Sequence, residues 1–455
     1  MADSLLIKKY DVAGPRYTSY PTVPHWQNDT FSAEKWTTNL INTFVEINHT
    51  SGISLYIHLP YCESLCTFCA CHKRITKNHA VELPYIQAVL KEWTLYLALF
   101  PEKPRVTEIH LGGGTPSFFA PEMLQLLIAG ILENVVITPE HEFSFEGHPN
   151  NTKLEHLQTL YDLGFRRVSF GVQDYDPQVQ KAIHRIQPFE NVKKVTEFAC
   201  AIGYTSVSHD LVFGLPFQTI SSVEDTIQQT LTLKPDRIAF YSYAHVPWIK
   251  GNGQRGFEDE NLPSGEEKRA LYEHGRAMFE ANSYAEIGMD HFALPQDNLY
   301  KAQENGTLHR NFMGYTTTQS KVLLGLGASS ISDSWTAFAQ NIKEIDAYIT
   351  TVNAGELPVF KGHILSDEDL FIRQQILNII CDLETSWQLL DWSEQEKNII
   401  FEKLENFEED GLIIFNEFGL KVLPAGKPFI RNICMIFDKY LNKINFMRNL
   451  FSNTI

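Results

Sequence analysis

Three observations predict an α/β fold built on a parallel sheet. From residue 51 strand and helix signals alternate with regularity, they do so in six consecutive units, and polar or glycine-rich residues recur just past the strands. Strands are expected over 54–58, 107–112, 142–147, 167–173, 206–212 and 237–243, with amphipathic helices over 85–100, 121–134, 151–163, 189–202 and 221–233. Asn151-Thr152 and Ser221-Ser222 read as helix starts. Right-handed crossovers join units of this kind. Six of them close only part of an eight-stranded barrel, and an open doubly wound sheet fits the same periodicity.

The composition narrows the function classes. At 455 residues the chain is long enough for one large domain and a smaller one. Hydrophobic residues at 44% and charged residues at 20% are ordinary for a globular protein. A net charge of −17 argues against nucleic acid as the main partner, because phosphate contacts demand a basic surface. No apolar stretch reaches the ~18 residues of a membrane span, and Met1-Ala2-Asp3-Ser4 opens no signal peptide. A cytoplasmic protein without a membrane span is expected, in keeping with thiols that must stay reduced.

Residues 1–50 read as an N-terminal arm. Gly14-Pro15-Arg16-Tyr17-Thr18-Ser19-Tyr20-Pro21 combines prolines with closely spaced aromatics, which favours extended chain over helix. Such an arm is either a strap packed on the main domain or a lid over a mouth, with Arg16 facing ligand. The first strand then runs into Cys62-Glu63-Ser64-Leu65-Cys66-Thr67-Phe68-Cys69, followed at once by Ala70-Cys71-His72. Cys62, Cys66 and Cys69 supply three thiolates for a compact soft-metal centre. A cubane iron–sulfur cluster usually takes four, so one iron would stay open to an outside molecule. Zinc on the same thiols with Cys71 or His72 is the competing reading, although structural zinc sites more often pair two separated knuckles. Disulfides are disfavoured by cysteines this close together. Isolated apolar burial suits Cys200, Cys381 and Cys434.

Gly112-Gly113-Gly114-Thr115-Pro116 follows the second strand, where glycines let backbone approach a ligand. Polar residues sit at the other strand ends: Glu146, Gln173-Asp174, Asp210 and Tyr243-Ala244-His245. Each alone is as well explained by a structural hydrogen bond; together they look like a cofactor cradle. Further on come a helix over 266–280, the polar knot His309-Arg310-Asn311-Phe312 and a Gly- and Ser-rich apolar run over 323–331. A composition shift at 358–366 suggests a boundary, giving an arm (1–50), a catalytic domain (51–360) and a C-terminal domain (361–455). In the last, helices over 368–382, 393–409 and 428–441 and a hairpin of 411–415 with 419–422 look like a mainly helical, winged-helix-like unit that covers substrate.

The Cys-x3-Cys-x2-Cys triplet resembles the signature of radical S-adenosylmethionine (SAM) proteins. With residues 15–21, 112–116, 171–174, 290–293, 309–312 and 431–435, it resembles the oxygen-independent coproporphyrinogen III oxidase family. The resemblance implies a partial, TIM-like (β/α)6 barrel with an N-terminal arm and a mainly helical C-terminal domain. It implies oxidative decarboxylation of two propionates of coproporphyrinogen III to vinyls, giving protoporphyrinogen IX for haem synthesis. One [4Fe–4S] cluster on Cys62, Cys66 and Cys69 and two SAM molecules are the implied cofactors. Tyr56, Gly113, Glu146, Ala244 and Ile331 match positions around the cluster-bound SAM, and Phe68, Gly114, Thr115, Gln173, Arg185 and Asp210 those around the second. Cys71, Tyr56 and Arg16 are the implied catalytic residues, with Arg16, Arg310 and Arg431 as candidate cations for the substrate carboxylates. A monomer served by a low-potential donor such as flavodoxin or ferredoxin is implied. Ala70, His72, His148 and Met313 depart from the family pattern, where Gly, Asn, Asp and Gln are expected. Another radical SAM reaction on a tetrapyrrole, such as anaerobic haem breakdown, and a haem-binding chaperone of the same fold are the alternative readings. The chaperone-like relatives usually lack both the arm and Cys71.

Overall fold

A computed structural model of the chain describes residues 4–26, 28–248, 254, 256–387, 394–441 and 451–454. Its centre is a run of seven parallel strands, labelled here in chain order: β1 Ile53–Leu59, β2 Arg105–Gly113, β3 Val136–Gly147, β4 Arg167–Gln173, β5 Ser206–Phe213, β6 Arg237–Ser242 and β7 Leu323–Leu326. They lie in the order β7-β1-β2-β3-β4-β5-β6, every neighbouring pair parallel. The first six are the strands expected from sequence. The six expected units stand, and β7, from the Gly- and Ser-rich run, is a further parallel strand with no crossover helix after it. At four residues, with Gly325 within it, β7 is too short for its period to show.

Antiparallel strands extend both edges: His291–Ala293 and Ala285–Ile287 beyond β6, and Ile331–Asp333, Ala337–Asn341 and Val359–Ile364 beyond β7. The sheet is thus an open, twelve-stranded partial barrel rather than a closed one. It also runs past residue 360, where the sequence suggests a boundary, because Val359–Ile364 is its edge strand.

Crossover helices cover the outer face. Phe189–Ile202 coincides with its expected span, and the helix expected from residue 221 begins at Ile220. The cap of that second helix is Thr219, whose side chain accepts from Ser222 N, and not the Ser221-Ser222 pair. The helix expected from Asn151 starts at Leu154. Inside the presumed arm, Ala33–Ile47 is a helix capped by Ser32, which burial explains: Trp36, Leu40 and Phe44 enter the main core at 0% exposure. The core beneath the crossover helices includes β1 through Leu55, Ile57 and Leu59, all fully buried. The odd residues of β1 face that core, so Tyr56 and His58 face the other side, into the barrel.

The C-terminal unit has its own core, containing Ile376, Leu404, Leu420 and Ile433. Its three-stranded antiparallel sheet adds Glu384–Ser386 to the expected hairpin, now Ile413–Asn416 with Gly419–Val422. The expected final helix is shorter: a 3-10 turn at Pro424–Phe429 precedes Ile430–Phe437. Ser393, where the middle helix was expected to start, lies outside the described residues, as does 442–450. The arm is built into this unit, since Ile7, Tyr10, Tyr17 and Tyr20 join its core. Among the described residues no helix is long and apolar enough to cross a membrane.

Candidate active site

Every parallel strand ends at the same rim of the barrel, so the loops that leave β1 and β2 meet there. The cysteine loop leaves β1 and is pinned at several points. Thr67 donates through N to Ile183 O (3.0 Å) and through Oγ1 to Ala182 O (2.9 Å). Thr76 N donates to Cys62 O at 2.9 Å, and Lys73 Nζ to the carbonyls of Cys69 and Cys71 at 3.0 and 3.2 Å. The glycine loop from β2 presses against it: Gly114 N donates to Leu59 O (2.8 Å) and Thr115 N to Tyr61 O (3.0 Å). This approach requires glycine, because a Cβ on Gly114 would lie 2.7 Å from the Pro60 backbone. One on Gly113, at φ +112°, would lie 2.6 Å from the His58 ring.

Between the loops lies a cavity of about 180 Å³ that opens on Cys62, Cys66, Cys69 and Cys71. Cys62 Sγ lies 3.3 Å from Thr115 Oγ1, and Arg185 Nη1 donates to Cys66 Sγ at 3.7 Å. Burial pushes the Cys62 thiol up to about 11, whereas the hydrogen bond from Cys71, and after it Lys73, lowers that of Cys69. Hydroxyl and guanidinium donors beside thiolates suit an anionic iron–sulfur cluster. Among the described residues no three His, Cys, Asp or Glu side chains converge tightly enough to enclose one metal ion. Three thiols that open on one cavity leave room for a multi-iron cluster. The donor set therefore fits the cluster.

Most of the other expected residues line the same cavity: Phe68 and Arg185, Gly113 to Thr115 on the β2 loop, Glu146 at the end of β3, Gln173 at the end of β4 and Asp210 on β5. Gly113 N donates to Glu146 Oε2 at 3.3 Å, and Ser169 Oγ to Asp210 Oδ1 at 2.6 Å. Burial raises the Asp210 carboxyl to about 6. Arg185 Nη2 donates to Gly171 O at 2.7 Å, which aims its guanidinium at the cavity. His148, where an acidic residue was expected, is pushed down to about 2 by burial and then by Arg185, and so lines the cavity as neutral imidazole.

Four expected residues lie elsewhere. Tyr56 sits beneath the glycine loop, its hydroxyl 3.0 Å from His58 Nδ1 and its ring centroid 4.9 Å from Phe312. Ala244 is tied to the cysteine loop at one remove: Gln254 Nε2 donates to Ala244 O (2.8 Å) and Phe68 O (3.3 Å). Ile331 packs with Trp26, Phe338 and Leu365. Arg16 donates to Ser242 O at 2.6 Å and lines a separate cavity of about 450 Å³ with Arg310 and Arg431. Arg431 there is not a free cation. Its guanidinium donates to the carbonyls of Gly14, Pro15 (3.0 Å), Asn453 (3.0 Å) and Thr454 (3.2 Å), clamping the arm to the last described segment.

Asp174 resolves as structural. Gln218, Thr226 and Asp176 N donate to its carboxylate at 2.6, 3.1 and 2.6 Å, and it is 1% exposed. Cys381 and Cys434 are buried as expected, but Cys200 is exposed. Sequence reasoning missed His58 and His110. His110 Nδ1 lies 2.8 Å from Ser144 Oγ and its Nε2 3.4 Å from Glu146. Alternation held the signal, since His58 shares its face of β1 with Tyr56 and His110 shares its face of β2 with Gly112.

A radical SAM superfamily model matches residues 56–230. An oxygen-independent coproporphyrinogen III oxidase of Helicobacter pylori is 38% identical over 444 residues, 95% of each chain. That of Pseudomonas aeruginosa is 36% identical over 463 residues, spanning 100% of this chain and 98% of the relative. Among solved structures, coproporphyrinogen III oxidase from Escherichia coli, described as a radical SAM enzyme, superposes with a TM-score of 0.88. It is 34% identical and covers 97% of this chain and 99% of its own.

Proposed function

The chain belongs to the oxygen-independent coproporphyrinogen III oxidase family of radical SAM enzymes, and from that premise we propose how its own residues serve the reaction. It is an oxidoreductase of haem biosynthesis that converts two propionates of coproporphyrinogen III to vinyls, giving protoporphyrinogen IX. Its cofactors are a [4Fe–4S] cluster and SAM. When bound, they supply the one-electron chemistry that removes a hydrogen atom from the propionate β-carbon.

Cys62, Cys66 and Cys69 hold the cluster, with Thr115 and Arg185 as donors beside the sulfurs. Glu146, held by Gly113 N, would take part in holding the cluster-bound SAM, together with Tyr56, Ala244 and Ile331. Phe68, Gly114, Thr115, Gln173, Arg185 and Asp210, which line the same cavity, would hold a second SAM. Cys71, open to the same cavity, stands beside the cluster without binding it and takes part in turnover. The C-terminal unit and the arm cover the rim and exclude water from the reacting centre. A low-potential carrier of the flavodoxin or ferredoxin class supplies electrons to a cytoplasmic monomer.

One observation carries this reading: the three thiols open onto the cavity that also receives Glu146, Gln173 and Asp210 from successive strand ends. The test is an anaerobic assay of the reconstituted protein with SAM, a chemical reductant and coproporphyrinogen III, followed by mass spectrometry. A product lighter by two CO2 and four hydrogen atoms is expected. SAM cleavage that leaves the porphyrinogen mass unchanged would assign the chain another reaction.

A further inference from the structure

The proposed function leaves open where the substrate's carboxylates are held, and this inference rests on that reading. The 450 Å³ cavity and the cysteine-lined one share a strand, since β5 gives Phe213 to the first and Asp210 to the second. Its charged residues fall into two groups. Arg269, Arg276 and Lys427 are matched by Glu273, Glu280 and Glu286: Arg269 contacts Glu273, Arg276 pairs with Glu273 at 2.7 Å and Glu280 at 3.0 Å, and Lys427 lies 3.5 Å from Glu286. The deeper group sets Arg16, Arg310 and Arg431 against a single carboxylate, Asp290, which makes its close contact with His291 at 2.6 Å. Among the described residues that line it, this group sets three cations against one anion in a low-dielectric wall.

Among the described residues of that group, Arg310 is the guanidinium with a buried N–H left unpartnered. Arg431 is committed to four backbone carbonyls, and Arg16 is anchored on Ser242 O. Arg310 is 8% exposed, and its buried Nε has no hydrogen-bond partner among the described residues. It lies on the short strand His309–Asn311, opposite Tyr315, with its guanidinium 4.6 Å from the Tyr315 ring centroid. That ring is itself fixed: Met289 N donates to its hydroxyl at 3.2 Å, and a Cβ on Gly288 would fall 2.0 Å from it. A flat cation stacked on an immobile ring in the wall of a cavity is preorganised for a carboxylate.

We propose that Arg310 binds a propionate carboxylate of the porphyrinogen, with Arg16 beside it, and that the carboxylate held there is one that is not lost. Strong pairing stabilises the charged carboxylate and so opposes its departure as CO2, which sets this site apart from the reacting propionate.

The test uses the reconstituted holoenzyme, titrated anaerobically with fluorescent coproporphyrin III and with its tetramethyl ester. Arg310→Gln should weaken binding of the tetracarboxylate about tenfold or more, the scale of one lost charge-assisted contact. Binding of the ester and of SAM should be the same in both proteins. In turnover, Arg310→Gln should raise the KM for coproporphyrinogen III. Should that variant fail to fold, Arg310→Lys, which keeps the charge and loses the fork, carries the test with a smaller loss. Tetracarboxylate affinity equal to wild type in the folded variant would overturn the inference while leaving the proposed function intact. A wild-type protein that leaves coproporphyrinogen III unchanged would instead remove the function on which it rests.

Discussion

Cys71 and Cys69 are two residues apart and open to one cavity, yet they are assigned different tasks. Replacing Cys62, Cys66 or Cys69 by Ala should each abolish the iron bound after anaerobic reconstitution. Cys71→Ala should keep the iron and the cluster absorbance while turnover is lost. Iron retained in Cys69→Ala but lost in Cys71→Ala would reverse the assignment. The carboxylates allow a second test at this scale. Glu146→Ala should weaken SAM binding by about 0.5–1.5 kcal/mol, the usual net worth of one hydrogen bond, since the side chain is 45% exposed. Asp210→Ala should disturb the second SAM site to a similar degree, and unchanged SAM affinity and cleavage in both variants would remove them from the site. Their place at strand ends nominated both carboxylates, as it did Asp174. What separates them is that Asp174 has its lone pairs filled by Gln218, Thr226 and Asp176 N, whereas Asp210 faces a cavity.

At the level of elements, the parallel strands announce themselves because buried strands are near-continuous apolar runs ending in polar or glycine residues. The helix Ala33–Ile47 escaped because its tertiary role depends on edge strands about 300 positions away: Thr43 Oγ1 donates to Ser334 O at 2.9 Å. One buried carboxylate joins three elements. Glu92, on the helix Glu82–Leu97, accepts from Gly327 N after β7 (2.8 Å), from Asn341 (2.6 Å) and from Tyr348 (2.5 Å). Burial raises its carboxyl from 4.5 to about 7 despite these donors. The folded state then holds a proton that the unfolded chain has released, so the stability linked to Glu92 is full below pH 4.5. It declines as pH rises towards 7, by at most about 3 kcal/mol. Glu92→Gln removes that dependence. The melting-temperature gap between wild type and variant should narrow between pH 5 and pH 8, and a gap that widens would contradict the assignment.

The whole molecule is closed by its two ends. The arm places Tyr17 on Asp438 (3.0 Å) and Tyr10 O on Asn432 (2.8 Å), while Arg431 ties residues 14 and 15 to 453 and 454. Deleting residues 1–25 should leave cluster assembly and SAM binding intact, because the cysteine loop is pinned to the barrel rather than to the arm. Thermal stability should fall, since Tyr10, Tyr17 and Tyr20 leave the C-terminal core. Turnover per cluster, measured where both forms stay folded, should fall sharply as water gains access; equal turnover would reduce the arm to packing.

What could be read from the chain alone is local chemistry: the strand period, the spacing of three thiols, the glycines and the carboxylates at strand ends. Each is set by neighbours within a few residues, so order along the chain suffices. Which arginine is spent and which is available could not be read that way. Arg310 and Arg431 are equally cationic in sequence, and the difference lies in partners more than 400 positions from Arg431 and in the Tyr315 ring under Arg310. The seventh strand is of the same kind, since Leu323–Leu326 becomes a strand by lying parallel to β1, a pairing with a segment about 270 positions away that only the assembled sheet creates.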